Sequence, residues 1–118
     1  MIGDFLMFDE LFSKLEEKYG DDFNWMDMKF LKEETFLKEL DIELNENHPL
    51  YKKAQAALAK CGSNDDVLFL LRDDSYAIVH LTWSGKRESN ARFPYYKEFS
   101  DLQSALIHIE KEYISEFL

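Results

Sequence analysis

Cysteine, glycine and positive charge are all scarce in this chain of 118 residues, and each shortage removes a class of protein. The single cysteine, Cys61, cannot close an internal disulfide, so the fold is expected to stand on its core alone, in a cytoplasmic setting. Four isolated glycines leave no Gly-rich loop to cradle a phosphate. No apolar run nears the roughly 20 residues that a bilayer-spanning helix needs. The start Met1-Ile2-Gly3-Asp4 has neither the basic nor the apolar region of a secretory signal. Histidine is sparse too: His48, His80 and His108 lie 32 and 28 residues apart, and no His or Cys pair has a metal-ligand spacing. Neither a metal nor any other cofactor is expected. Cys61 falls at the end of an anticipated helix, where the dipole disfavours a thiolate, so a catalytic thiol is not expected either.

The shortage of positive charge is the most consequential of these. Fourteen basic residues face 24 acidic ones, a net charge of −10, and residues 1–66 hold 16 of the acids against 8 lysines. Grip on nucleic acid depends on neutralising phosphates, so DNA and RNA are poor default partners. A negative surface instead speeds encounter with a basic protein.

Apolar residues are plentiful, at 46%, with ten phenylalanines, enough for one core. Phe8, Leu11, Phe12, Leu15 and Tyr19 recur at helical spacing ahead of Gly20, a C-terminal cap. Phe23, Trp25 and Met26 sit in a short connection expected to fold back on the core. Phe30, Leu31, Phe36, Leu37 and Leu40 predict a second helix that frays over Asp41–Leu44. Asn47 and Pro49, an Ala-rich run at Ala54, Ala56, Ala57 and Ala59, and Gly62 predict a capped third helix. Val67–Leu71 and Tyr76–Trp83, parted by Arg72-Asp73-Asp74-Ser75, predict an antiparallel hairpin, and Phe93–Phe99 a third strand kept at the edge by Pro94. A last helix is capped by Ser100 or Asp101 and carries Leu102, Leu106, Ile109, Tyr113 and Phe117 on one side. The expectation is a single α+β domain over residues 1–118: N-terminal helices, a small antiparallel sheet of about three strands, and a C-terminal helix.

No constellation in the chain specifies a reaction, so no catalytic residue is assigned. His80 alternates with Tyr76 and Ile78 on one strand face, opposite Ala77, Val79, Leu81 and Trp83, which leaves room for a ligand pocket or a general base beside Tyr76 or Thr82. Lys86, Arg87, Arg92 and Lys97, interleaved with Trp83, Phe93, Tyr95 and Tyr96, have the basic-aromatic mixture of a single-strand binder or regulatory module, opposed by Glu88, Glu98 and the net charge. The strongest local charge is acidic. Glu33, Glu34, Glu39, Asp41, Glu43 and Glu46 lie within 14 residues with only Lys38 against them. Together with Trp83 or Tyr95 as an aromatic anchor, they are the candidate partner-binding residues, for a basic protein that itself grips phosphates.

The run Val79-His80-Leu81-Thr82-Trp83-Ser84-Gly85-Lys86, followed by Glu88, Pro94, Phe99 and Ser100, resembles a strand-and-turn pattern found in small bacterial proteins linked to toxin immunity. The resemblance covers less than half of the chain. Where that pattern carries a proline-tryptophan pair in the loop, this chain has Phe93-Pro94, a departure that bears on the loop's packing or partner. Immunity proteins of contact-dependent and other polymorphic toxin systems are small, cytoplasmic and often acidic, and each binds one toxin. The resemblance implies a non-enzymatic inhibitor of a toxin, of the nuclease class for an acidic surface.

Overall fold

Asp66–Leu71 (β3) and Tyr76–His80 (β4) pair antiparallel in the computed structural model, which describes residues 2–118, and their side chains from Leu6 onward. Asp66 stands opposite His80 and Leu70 opposite Tyr76, so the expected hairpin is the centre of the sheet. Its turn is tight: Asp74 takes a left-handed φ of 66°, and the Asp73 carboxylate accepts the Ser75 N–H at 3.1 Å. Trp25–Asp27 (β1), Ala54–Cys61 (β2) and Tyr96–Phe99 (β5) complete a meander in which order in space follows order in the chain and every neighbour is antiparallel. β5 is an edge strand, as Pro94 just ahead of it demands.

The α+β class stands, but the sheet has five strands rather than about three. The difference lies in β2, where the Ala-rich run predicts a helix. Alanine favours a helix only while nothing else competes, and here tertiary packing prevails. Ala56 and Ala59 lie in the core on one face of the sheet and Ala57 in the core on the other, all at most 3% exposed. Small side chains let both layers approach a central strand closely. Cys61 therefore ends a strand and not a helix; the thiol is buried, and burial pushes its pKa up. The anticipated N-cap is a turn: Asn45 Oδ1 accepts the Asn47 N–H at 2.8 Å, and the His48 ring is buried between Leu50 and Pro94. Leu50 N donates to Nδ1 at 3.0 Å, which leaves Nε2–H to donate to the Pro94 carbonyl at 3.1 Å.

Three helices cover the sheet. Ile2–Tyr19 (α1) and Leu102–Phe117 (α3) share one core with Trp25, Leu58, Leu68, Tyr76 and Ile78. Gly20 ends α1 at φ 67°, and Asp101 caps α3 by accepting the Ser104 N–H at 2.7 Å. The two helices are also tied by polar groups, since Lys18 Nζ and the Tyr19 hydroxyl both donate to Glu110 Oε2. Glu33–Glu43 (α2) covers the opposite face, where Phe36, Leu40, Leu44 and Leu50 pack with Val67, Phe69, Val79 and Leu81. The expected frayed end of α2 is a regular one, with Leu44 N donating to the Leu40 carbonyl at 3.0 Å. Alternate residues of β4 thus feed two separate cores, so neither face of its middle is polar. No helix among the described residues is long and apolar enough to cross a membrane.

Candidate partner-binding site

Beyond His80 the chain leaves the sheet, and the segment Thr82–Gly85 crosses the end of α2. Its backbone is held by side chains from that helix. Glu43 Oε1 accepts the Thr82 N–H at 2.9 Å, Glu43 Oε2 accepts the Trp83 N–H at 2.8 Å, and Glu39 Oε2 accepts the Gly85 N–H at 3.1 Å. Trp83 and Gly85 both lie in the left-handed region, at φ 55° and φ 70°. Gly85 does so without strain, whereas Trp83 incurs a cost on the order of 1 kcal/mol. Successive N–H groups turned to one side in this way form a concave nest for negative charge, and here the protein fills the nest from within.

Further bonds hold the ends of the segment. Glu88 N donates to the Glu43 carbonyl at 3.0 Å, Asn45 Nδ2 donates to the Glu88 carbonyl at 3.2 Å, and Thr82 Oγ1 donates to Glu88 Oε1 at 3.1 Å. Arg87 Nη1 donates to the Leu44 carbonyl at 2.7 Å, setting a cation on the C-terminal end of α2. The product of these contacts is one displayed side chain. The Trp83 indole stands edge-on against Phe36, with ring centroids 5.6 Å apart, and remains 39% exposed.

Glu39 and Glu43, counted among the acids expected to face a partner, instead point inward: Glu39 is 8% exposed and Glu43 0%. The cause is their place on the helix, since Phe36, Glu39, Leu40 and Glu43 lie on one side of α2 and that side meets the sheet. This corrects the reading of the acidic run as six surface charges. Glu33 is half buried and accepts the Ala57 N–H at 2.9 Å, so it too is engaged, beside an irregularity in the pairing of β2 with β3. Glu34, Asp41 and Glu46 remain exposed. The spacing that reveals the inward pair was present all along, because Glu43 falls in register with Phe36 and Leu40.

Complete burial, followed by the hydrogen bond with Glu39, pushes the Glu43 carboxyl up to about 7, against the lowering effect of the Thr82 and Trp83 N–H donors.

The remaining candidates surround this segment. Tyr95 is exposed and packs on Phe93, and Tyr96 reaches the His48 ring. Lys86, Arg87, Arg92 and Lys97 are all exposed, and Arg87 is in addition tied to the Leu44 carbonyl and set over the Tyr51 ring. His80 lies on the face of the sheet away from α2, where Nδ1–H donates to Asp66 Oδ1 at 2.9 Å. An open cavity of about 220 Å³ adjoins it, lined by Asp66, Ile78, His80, Tyr95, Tyr96, Lys97, His108 and Glu112. Tyr76 and Thr82, the expected neighbours, do not line it: Tyr76 is in the core, and the Thr82 N–H is bound on the α2 side. Among the described residues no three His, Cys, Asp or Glu side chains are grouped to hold a metal ion. No family model, curated protein or solved structure gives a significant match to the chain.

Proposed function

We propose that the protein is a non-enzymatic immunity protein that binds a bacterial toxin domain, of the nuclease class, and blocks its phosphate-gripping surface. One observation carries the reading: two buried carboxylates and a left-handed tryptophan hold an exposed indole in a fixed pose on the end of an acidic helix. A fixed aromatic at a surface loses little side-chain entropy when bound, which is the quality of an interface anchor. Glu34, Asp41 and Glu46 lie on or just beyond the same helix, exposed, where they steer a basic partner toward the indole. The net charge of −10 acts in the same direction. The resemblance of Val79–Lys86 to toxin-immunity proteins falls on the segment that carries the indole, which supports the same reading.

The test begins with the gene neighbourhood, where a large secreted protein with a variable C-terminal domain is expected directly upstream, and continues with co-expression of that domain and this protein. Growth is restored by the wild type and lost again with Trp83→Ala, and purified wild-type protein inhibits the domain's nuclease activity at a one-to-one ratio. Failure to restore growth or inhibit cleavage removes the reading.

The cavity beside His80 favours a second reading, a small-ligand or enzymatic site. The Asp66 carboxylate fixes one ring nitrogen of His80 and leaves Nε2 free to act as acceptor or base, with Lys97 at the same opening. His80→Ala separates the two, since the second reading requires loss of function and the first requires none.

A further inference from the structure

We propose that the open cavity between the C-terminal half of α2 and the start of β2 binds a small monocarboxylate with an apolar body, its carboxylate held by Arg72 and Lys52. The site is separate from Trp83, and its occupancy does not depend on the toxin partner proposed above.

The cavity measures about 630 Å³, within the range of small-molecule sites. Its floor is apolar. Leu37, Leu40 and Leu44 recur along α2 at helical spacing and line the cavity, and Ala54 lines it where β2 begins. Leu40 and Leu44 are buried and Leu37 and Ala54 half-buried, so the floor is anchored in the core. A ligand's apolar body gains by covering what remains of it.

The rim carries charge of the sign that the chain as a whole lacks. Arg72 follows β3, where its backbone N–H donates to the Lys53 carbonyl at 2.8 Å. Its Nε donates to the Lys52 carbonyl at 3.3 Å, and Lys52 itself lies in the left-handed region at φ 58°. These bonds hold the base of the guanidinium and leave both Nη groups without a partner among the described residues. Lys52 Nζ stands over the Tyr51 ring, 5.4 Å from its centroid. Among the described residues neither cation forms an ion pair, in a chain where 24 acids face 14 bases. A planar fork with a second cation at the same cavity matches a carboxylate, which accepts two parallel N–H bonds.

Asp41, exposed on the same lining, selects the charge of the ligand. Two cations against one acid leave a surplus of a single positive charge. A monoanion balances it, whereas a dianion such as phosphate meets repulsion from Asp41 and from the acidic chain around it.

The test is a nuclear magnetic resonance titration of the backbone amides with octanoate, acetate and inorganic phosphate, at mildly alkaline pH. Octanoate is expected to shift the Asp41, Leu44, Gln55 and Arg72 signals saturably. Acetate lacks the apolar body and phosphate carries the second charge, so each is expected to bind about tenfold more weakly or worse. Arg72→Gln weakens octanoate by about tenfold while the β3 and β4 signals stay in place. The proposal is overturned by the absence of a saturable shift, or by shifts gathered instead at Leu11 and Leu106 between α1 and α3. Acetate or phosphate binding as tightly as octanoate overturns it too, as does an Arg72→Gln protein that binds octanoate undiminished. The wild-type titrations decide even if the variant fails to fold.

Discussion

Glu43 fixes the backbone of Trp83: a carboxylate with no exposure to water accepts the tryptophan N–H at 2.8 Å, while the indole above it stays 39% exposed against Phe36. A carboxyl group is buried in order to hold an apolar group at the surface. That inversion of the usual arrangement is what a display site requires and what a core does not.

Glu43→Ala leaves the Thr82 and Trp83 N–H groups without their acceptor. Loss of about 2–4 kcal/mol in urea denaturation is expected. Glu39→Ala removes one bond, to Gly85, and costs about 1–2 kcal/mol. Equal and negligible losses would show that the segment is held by other contacts.

Stability should depend on pH in a direction that few carboxyls give. The folded state raises the Glu43 carboxyl from 4.5 to about 7, so its contribution is fully present below 4.5 and is lost as pH rises through about 7. Asp73, Asp101 and Glu110 are shifted the other way, chiefly by hydrogen bonds from Ser75, Ser104 and Lys18, and their contributions are lost as pH falls below their ordinary range. A stability maximum on the acid side of neutrality is therefore expected in denaturation curves, and Glu39→Gln flattens its alkaline limb. A curve still rising above neutral pH contradicts the assignment.

The two tryptophans should behave oppositely. Trp25 is 4% exposed in the core under α1 and α3, so Trp25→Ala is expected to cost about 3–5 kcal/mol. Trp83→Ala removes one edge-on ring contact, worth about 0.5–1.5 kcal/mol beyond the area it covers, and leaves the fold intact. Thermal melts separate them, and binding reverses the order, with Trp83→Ala the variant that loses the partner.

β2 gives a packing test of the region where sequence and structure part. Ala59 has no exposure and pairs opposite Leu68, so Ala59→Leu should overpack the sheet and cost about 1–3 kcal/mol. On a helix with a wet face the same change would be nearly silent.

Helical periodicity carried α1, α3 and α2 from Phe36 onward, though Phe30 and Leu31 lie ahead of α2, and two strand-forming runs with a polar break carried the β3–β4 hairpin. β2 hides its alternation. Register shifts between Ala54 and Ala56 and again between Ala57 and Ala59 break the period of two, and alanine in every gap reads as helix. β1 has three residues, too few for any period, and exists because Trp25 pairs with Cys61 on β2. The candidate site was half legible: Trp83 and the acidic run were visible, but which acids point inward depends on where α2 meets the chain after β4. That contact joins residues about forty positions apart, and local patterns do not report it.

The most direct measurement is titration calorimetry of this protein with the toxin domain that the proposal expects to be encoded directly upstream, at low and moderate salt. A one-to-one complex is expected, one that weakens with salt, is lost with Trp83→Ala, and is weakened by Glu34→Lys, Asp41→Lys and Glu46→Lys together. Absence of a complex, or one unchanged in all of these variants, would contradict it.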